Sequence, residues 1–178
     1  MKTLTTYINE KMVYTKATAS KYNYHTTKIE ELKDLMKQLI KERGDDGDFN
    51  DIDTSEMTNM SRLFWEMKHF NGDISKWNVS KVKEMGGMFH GCKSFNQDIS
   101  KWNVSNVEFM HGMFWECDSF NQDISNWDVS NVEDMANMFY ECGSFNQDLS
   151  KWDVSNVIEM YDMFEDCPIE EKYKPKFK

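Results

Sequence analysis

Cysteine, proline and glycine are scarce in this chain of 178 residues, at four, two and eight. Both prolines, Pro168 and Pro175, fall in residues 168–178, so the one proline-encoded break in a repetitive sequence comes at its end. The start of the sequence lacks the roughly 7–15-residue apolar stretch of a secretory signal, and no window approaches the ~20 apolar residues of a membrane helix. As written, the chain is expected to be cytoplasmic, with the cell surface as the alternative if a signal or anchor has been removed. Nucleophile elbows, phosphate loops and Cys-x-x-Cys pairs are missing too. His25, His69, His90 and His111 share no ligand spacing such as His-x-x-x-His. Catalysis therefore has no assignable residues, no cofactor or metal is expected, and the chain does not read as an enzyme.

Repetition is abundant. A block of 25 residues returns with its phenylalanine at Phe70, Phe95, Phe120 and Phe145 and its tryptophan at Trp77, Trp102, Trp127 and Trp152. An incomplete earlier unit fits the same frame, Met60 matching Met85 and Phe64 matching Phe89. A fixed period of this size predicts a solenoid, with residues 1–47 as an N-terminal arm and capping helix, 48–167 as about five rungs and 168–178 as a basic tail.

Charge is divided along the same boundaries. The formal net charge is −10, but residues 48–167 hold eight Lys/Arg against twenty-two Asp/Glu, whereas residues 1–47 hold nine against seven and residues 168–178 four against two. So acidic a body repels phosphate backbones, which argues against direct binding of nucleic acid or anionic membrane and for a protein partner with a basic surface.

Within one repeat, Val132, Met135, Met138, Phe139 and Cys142 form a stripe at helical spacing, and Ser130 with Glu133 fits a capping box. The segment Phe145-Asn146-Gln147-Asp148-Leu149-Ser150 suits one short strand with Leu149 inward. Cys92, Cys117, Cys142 and Cys167 occupy equivalent places. On helices about 8–10 Å apart they lie beyond the ~7 Å reach of a bridge, and they read as buried thiols. Asn71, Asn96, Asn121 and Asn146 are expected to form a buried ladder donating to adjacent carbonyls. Ahead of the repeats, Thr27 as N-cap, Glu30, and the stripe Ile29, Leu32, Leu35, Met36, Leu39 and Ile40 predict a helix ending at Gly44 that covers the first rung.

The pattern Val-x-x-Met-x-x-Met-Phe-x-x-Cys-x-Ser-Phe-Asn-Gln-Asp-Ile-Ser-x-Trp resembles the BspA-like leucine-rich repeats of bacterial, including mycoplasma, surface proteins. The resemblance implies an α/β solenoid, a leucine-rich-repeat-like right-handed curved array with short parallel strands on the concave side and helices on the convex side. By analogy alone it also implies a binding role, such as that of a surface adhesin.

Two columns are candidate partner surfaces. Trp65, His90, Trp115 and Tyr140 follow the repeat phenylalanine and, on a helix, point outward, where they read either as interface anchors or as rings folded back over neighbouring helices; Phe109 and Tyr161 enlarge that convex patch. The second is the acidic row Asp73, Asp98, Asp123 and Asp148 on the concave side, which reads as a partner surface; turn-capping by each carboxylate is favoured over calcium as the reason for the row, since one Asp per rung is a thin ligand set. The expected function is a non-enzymatic protein-interaction module. The narrower alternative is an acidic, anti-CRISPR-like inhibitor occupying the basic channel of a nucleic-acid enzyme. At the C-terminus, Pro168 halts the last rung, and Tyr173 and Phe177 are expected to fold back over it and leave a monomer, with a C-terminal-edge dimer as the alternative.

Overall fold

The structure is a computed structural model that describes residues 22–177. Most of the N-terminal arm therefore lies outside the described residues. Its end, Tyr24–His25 (β1), pairs in parallel with Ile52–Asp53 (β2), Tyr24 opposite Ile52. Between them Ile29–Arg43 forms α1, the one α-helix among the described residues. Its apolar stripe buries Leu32, Leu35, Met36 and Leu39 in the core continuous with the repeats. The helix starts after Lys28, whose side chain makes no capping bond, so Thr27 is not the N-cap. Gly44, at φ 82°, ends it and donates its amide to the Ile40 carbonyl, which suits the one residue type without a Cβ penalty there.

Beyond α1 the 25-residue frame is kept in space. Asn59, Glu84, Phe109, Asp134 and Glu159 form successive parallel bridges, each to its equivalent one repeat on. The repeats themselves contain no α-helix, which corrects the expectation of helices on one side and strands on the other. The backbone contact between rungs falls in the very segment expected to be helical. Met85, Gly87, Phe89 and Gly91 each donate an amide to the next rung, at Phe109, His111, Met113 and Trp115. Met110, Gly112, Phe114 and Glu116 do the same one rung later, as do Met135, Asn137, Phe139 and Glu141. The intervening amides close tight turns inside the rung, Met88 to Met85 and Cys92 to Phe89.

An amide used laterally cannot serve an i→i−4 helix bond, and two columns of left-handed backbone forbid the helix outright. One column is Arg62, Gly87, Gly112, Asn137 and Asp162; the other is Glu66, Gly91, Glu116, Glu141 and Asp166. The capping box dissolves as well, since Ser130 donates both its amide and its hydroxyl to Asp128 Oδ1.

Phenylalanines fill the centre. Phe64 and Phe70 stack at 4.0 Å within a rung, and Phe89 lies 5.5 Å from Phe64 in the next. Each repeat tryptophan is buried and donates its indole N–H to a carbonyl of the preceding rung, Trp102 to Ile74 at 3.3 Å and Trp127 to Ile99 at 3.2 Å. The buried ring thus keeps its polar atom satisfied.

Candidate functional site

The acidic row is built by turns. Asp73, Asp98, Asp123 and Asp148 each accept, through Oδ1, the amide of the serine two residues on, at 2.9, 2.9, 3.0 and 3.0 Å. This Asx turn directs the chain from the buried Ile or Leu toward the tryptophan. At Asp98, Asp123 and Asp148, which are exposed, the turn uses Oδ1 and leaves Oδ2 to solvent. Bonds from Ser100, Ser125 and Ser150 hold these three carboxyls below the usual range. At Asp73 partial burial pulls upward most strongly, but Ser75, Asn50 and Lys76 together outweigh it. Asp128 forms a second such turn with Ser130 in a parallel column, and it too stays ionised to lower pH. The row is thus a solvent-facing series of charged oxygens, one per rung.

The asparagine ladder is placed differently from expectation. Asn96 and Asn121 are exposed, and the side chains accept rather than donate: Asn96 N–H bonds Asn71 Oδ1 at 2.9 Å, and Asn121 N–H bonds Asn96 Oδ1 at 3.0 Å. The glutamine beside each supplies the donor, Gln97 Nε2 reaching the Asn71 carbonyl at 2.9 Å. Asp48 and Asp73 still pair as a parallel bridge in this segment, as a short strand would, but between later rungs side-chain amides take over the cross-rung bonding.

The aromatic column is largely packed on itself. Trp65 stacks on His90 at 4.0 Å, His90 meets the Trp115 ring edge-on at 4.8 Å, and Trp115 tilts against Tyr140 at 5.1 Å. His90 is 7% exposed and Trp65 40%. With no helix to aim them outward, these rings lie along the stack instead of projecting from it. The outward-facing reading is corrected for His90, Trp115 and Tyr140. Phe109 is half-buried in the bridge column and Tyr161 is exposed in another, so they do not extend one patch. Glycine makes the packing fit: a Cβ on Gly87 would lie 2.7 Å from the Trp65 ring, and one on Gly86 2.4 Å from the His111 ring.

The four cysteines are free thiols, but not for the reason of helix spacing. Rungs joined by backbone bonds stack at about the 4.8 Å of neighbouring strands, within bridging reach. Each thiol instead donates to a carbonyl of an earlier rung, Cys92 to Phe64 at 3.0 Å and Cys142 to Phe114 at 2.8 Å. Burial pushes the Cys92, Cys117 and Cys142 thiols well above their ordinary range, which keeps them protonated.

The last rung, which the sequence already marks as an end needing cover from the tail or from a second copy, leaves a surface open. Met160 and Tyr161 stand in solvent where earlier rungs bury or half-bury their equivalents, and Ile158 (73% exposed) is an apolar residue in a column whose members in the three preceding rungs are charged. The tail closes part of that end: Leu149 donates to the Tyr173 carbonyl at 2.8 Å, Ile169 is buried, and Tyr173 and Phe177 pack against the core. The signal was present in the sequence, because Ile158 occupies the place of Lys83, Glu108 and Glu133.

Among the described residues no group of three or more His, Cys, Asp or Glu is arranged to hold a metal ion, and no helix is long and apolar enough to cross a membrane. No curated protein and no solved structure matches the chain. The model of the family described as Mycoplasma protein of unknown function, DUF285, matches residues 30–133 and 104–173. These overlapping spans run from the capping helix through every rung to the tail, and the chain belongs to the DUF285 family.

Proposed function

We propose that the chain is a non-enzymatic protein-interaction module, a solenoid of the BspA-like kind whose acidic body binds a protein partner with a basic surface. The observation that carries this reading is the row of Asp98, Asp123 and Asp148. Each is exposed, each is ionised, and each has one oxygen free at the spacing of the rungs. Basic side chains on a partner can meet such a row, whereas phosphates are repelled by it. The same row supports the narrower reading of an inhibitor that occupies a basic nucleic-acid channel, because a regular line of negative charge competes for the groups that bind a phosphate backbone.

Capture of partners from the source cell by the full chain and by its Asp98→Asn/Asp123→Asn/Asp148→Asn variant tests this. Asparagine retains Oδ1 for the turn and removes the charge. The expected result is a basic partner that is lost with the triple variant and at raised salt. A partner held equally by both proteins overturns the acidic row as the binding surface.

A further inference from the structure

The last rung ends in a row of backbone donors that nothing in the described structure covers. In each earlier rung the four amides at the positions of Met135, Asn137, Phe139 and Glu141 bond forward to the following rung. Their equivalents Met160, Asp162, Phe164 and Asp166 have no forward acceptor among the described residues. The matching carbonyls, on Glu159, Tyr161, Met163 and Glu165, are already used from behind. The edge is therefore one-sided, with N–H groups at every second residue and a single outward carbonyl, on Ile158, in register with those that accept at Lys83, Glu108 and Glu133.

That polarity restricts what can sit there. A second copy related by a two-fold axis would oppose donors to donors, which disfavours the C-terminal-edge dimer. Head-to-tail stacking would set the carbonyl row of the first rung, on Asn59, Ser61, Leu63 and Trp65, against this edge, and would bring together two bodies that each hold eight Lys/Arg against twenty-two Asp/Glu over residues 48–167, which disfavours it. Residues 153–171 contain seven Asp or Glu and no Lys or Arg. Ile158, Met160 and Tyr161 supply exposed apolar surface beside the donors. The chain's own basic tail shows what such an end accepts: it gives the Tyr173 carbonyl to Leu149 and lays the Lys174 ammonium over the Phe164 ring at 5.8 Å.

We infer that the Ile158–Asp166 edge is a docking site for a basic segment of a partner protein, which follows the turns of the rung and adds to the stack as a further layer. Its alternate carbonyls accept the four amides, its lysines or arginines meet Glu159, Asp162, Glu165 and Asp166, and its apolar side chains cover Met160 and Tyr161. The inference takes the sign of the partner's charge from the protein-binding reading but uses a different surface, the end of the stack instead of its acidic row.

The full chain, isotopically labelled, is titrated with a capped octapeptide alternating lysine and valine, with an alternating glutamate–valine peptide as control. The expected result is binding of the lysine peptide alone, with exchange of the Met160, Asp162, Phe164 and Asp166 amides slowed at least about tenfold. Ile158→Ala/Tyr161→Ala, at exposed positions, is expected to weaken binding about fivefold or more. The Asp98→Asn/Asp123→Asn/Asp148→Asn variant keeps the effect, which separates this site from the acidic row. Binding that leaves the four amides unchanged, or no binding at millimolar peptide, overturns the inference. So does protection already present in the free chain, which would assign the edge to residues 1–21, or protection that rises with protein concentration, which would assign it to a second copy.

Discussion

Trp65 lies flat against His90, with ring centroids 4.0 Å apart and planes 7° from parallel, although the two residues sit in successive repeats. Trp115 closes the other side of the imidazole edge-on, and Glu66 Oε1 approaches His90 Nε2 at 3.3 Å. An aromatic pair of this geometry contributes ~0.5–1.5 kcal/mol beyond its buried area. A double-mutant cycle of Trp65→Ala and His90→Ala in urea unfolding is expected to return a coupling of that size. A coupling near zero would show that the rings adjoin without stabilising the stack.

The left-handed columns separate these rungs from helices in a single measurement. Glu141 is exposed and sits at φ 54°. A non-glycine residue there costs ~1–2 kcal/mol, and glycine gives back ~0.5–1 kcal/mol through its freer unfolded state. Glu141→Gly is therefore expected to stabilise the protein by ~0.5–1 kcal/mol in chemical denaturation. In the middle of a helix the same change would destabilise it by a similar amount.

The frame of the repeat was legible in the sequence to the residue, because equivalent side chains must recur for rungs to share a core. The conformation inside the rung was not. Turns closed by i→i−3 bonds, Met88 to Met85 and Cys92 to Phe89, return core residues every three to four positions, as a helix does. Val132, Met135, Met138, Phe139 and Cys142 satisfy both geometries. The distinguishing signal lay in the column Gly87, Gly112, Asn137 and Asp162, since those types tolerate positive φ and no helix needs them. The acidic row was readable as turn chemistry from Asp-x-Ser, whereas the open donor edge was not, because it depends on which amides point forward.

Acid should weaken the fold through the turn aspartates. Their carboxyls are held below the usual range in the folded protein, so the stabilisation they give is fully present above the unfolded value near pH 4 and is lost as pH falls through the folded one. The urea midpoint is expected to drop from about pH 4 downward. The Asp98→Asn/Asp123→Asn variant should show a shallower drop, since asparagine holds the turn without titrating. An unchanged slope would place the acid-sensitive groups elsewhere.

The thiols are expected to be unreactive until the rungs open. Cys92, Cys117 and Cys142 are buried, protonated and bonded to carbonyls. A thiol reagent should label them only as fast as the chain unfolds, and mass spectrometry of denatured, unreduced protein should count four free thiols. Although the rung spacing allows a bridge, forming one would withdraw two sulfurs from their acceptors in a packed core. A native disulfide would show that this bonding is weaker than the geometry indicates.

Deleting one whole repeat tests whether the period, and not the particular residues, carries the fold. Removing residues 96–120 joins Phe95 to Asn121 and leaves every column in register. Glu84 then faces Asp134 in the bridge column, Asn121 offers its amide to Asn71 Oδ1 as Asn96 did, and Trp127 offers its indole N–H to the Ile74 carbonyl that Trp102 used. The interfaces lost and remade are nearly identical, Phe95–Phe120 at 5.9 Å and Phe120–Phe145 at 5.8 Å being interchangeable. Nearest-neighbour stacking then predicts a shorter protein that still unfolds in one transition, with a smaller urea dependence because less surface is exposed. Removing residues 96–115 instead shifts all later columns by five. Phenylalanines would then face turns, and forward amides would lose their acceptors. That variant is expected to lose cooperative unfolding in circular dichroism; if it kept it while the whole-repeat deletion did not, the 25-residue register would not be what holds the rungs together.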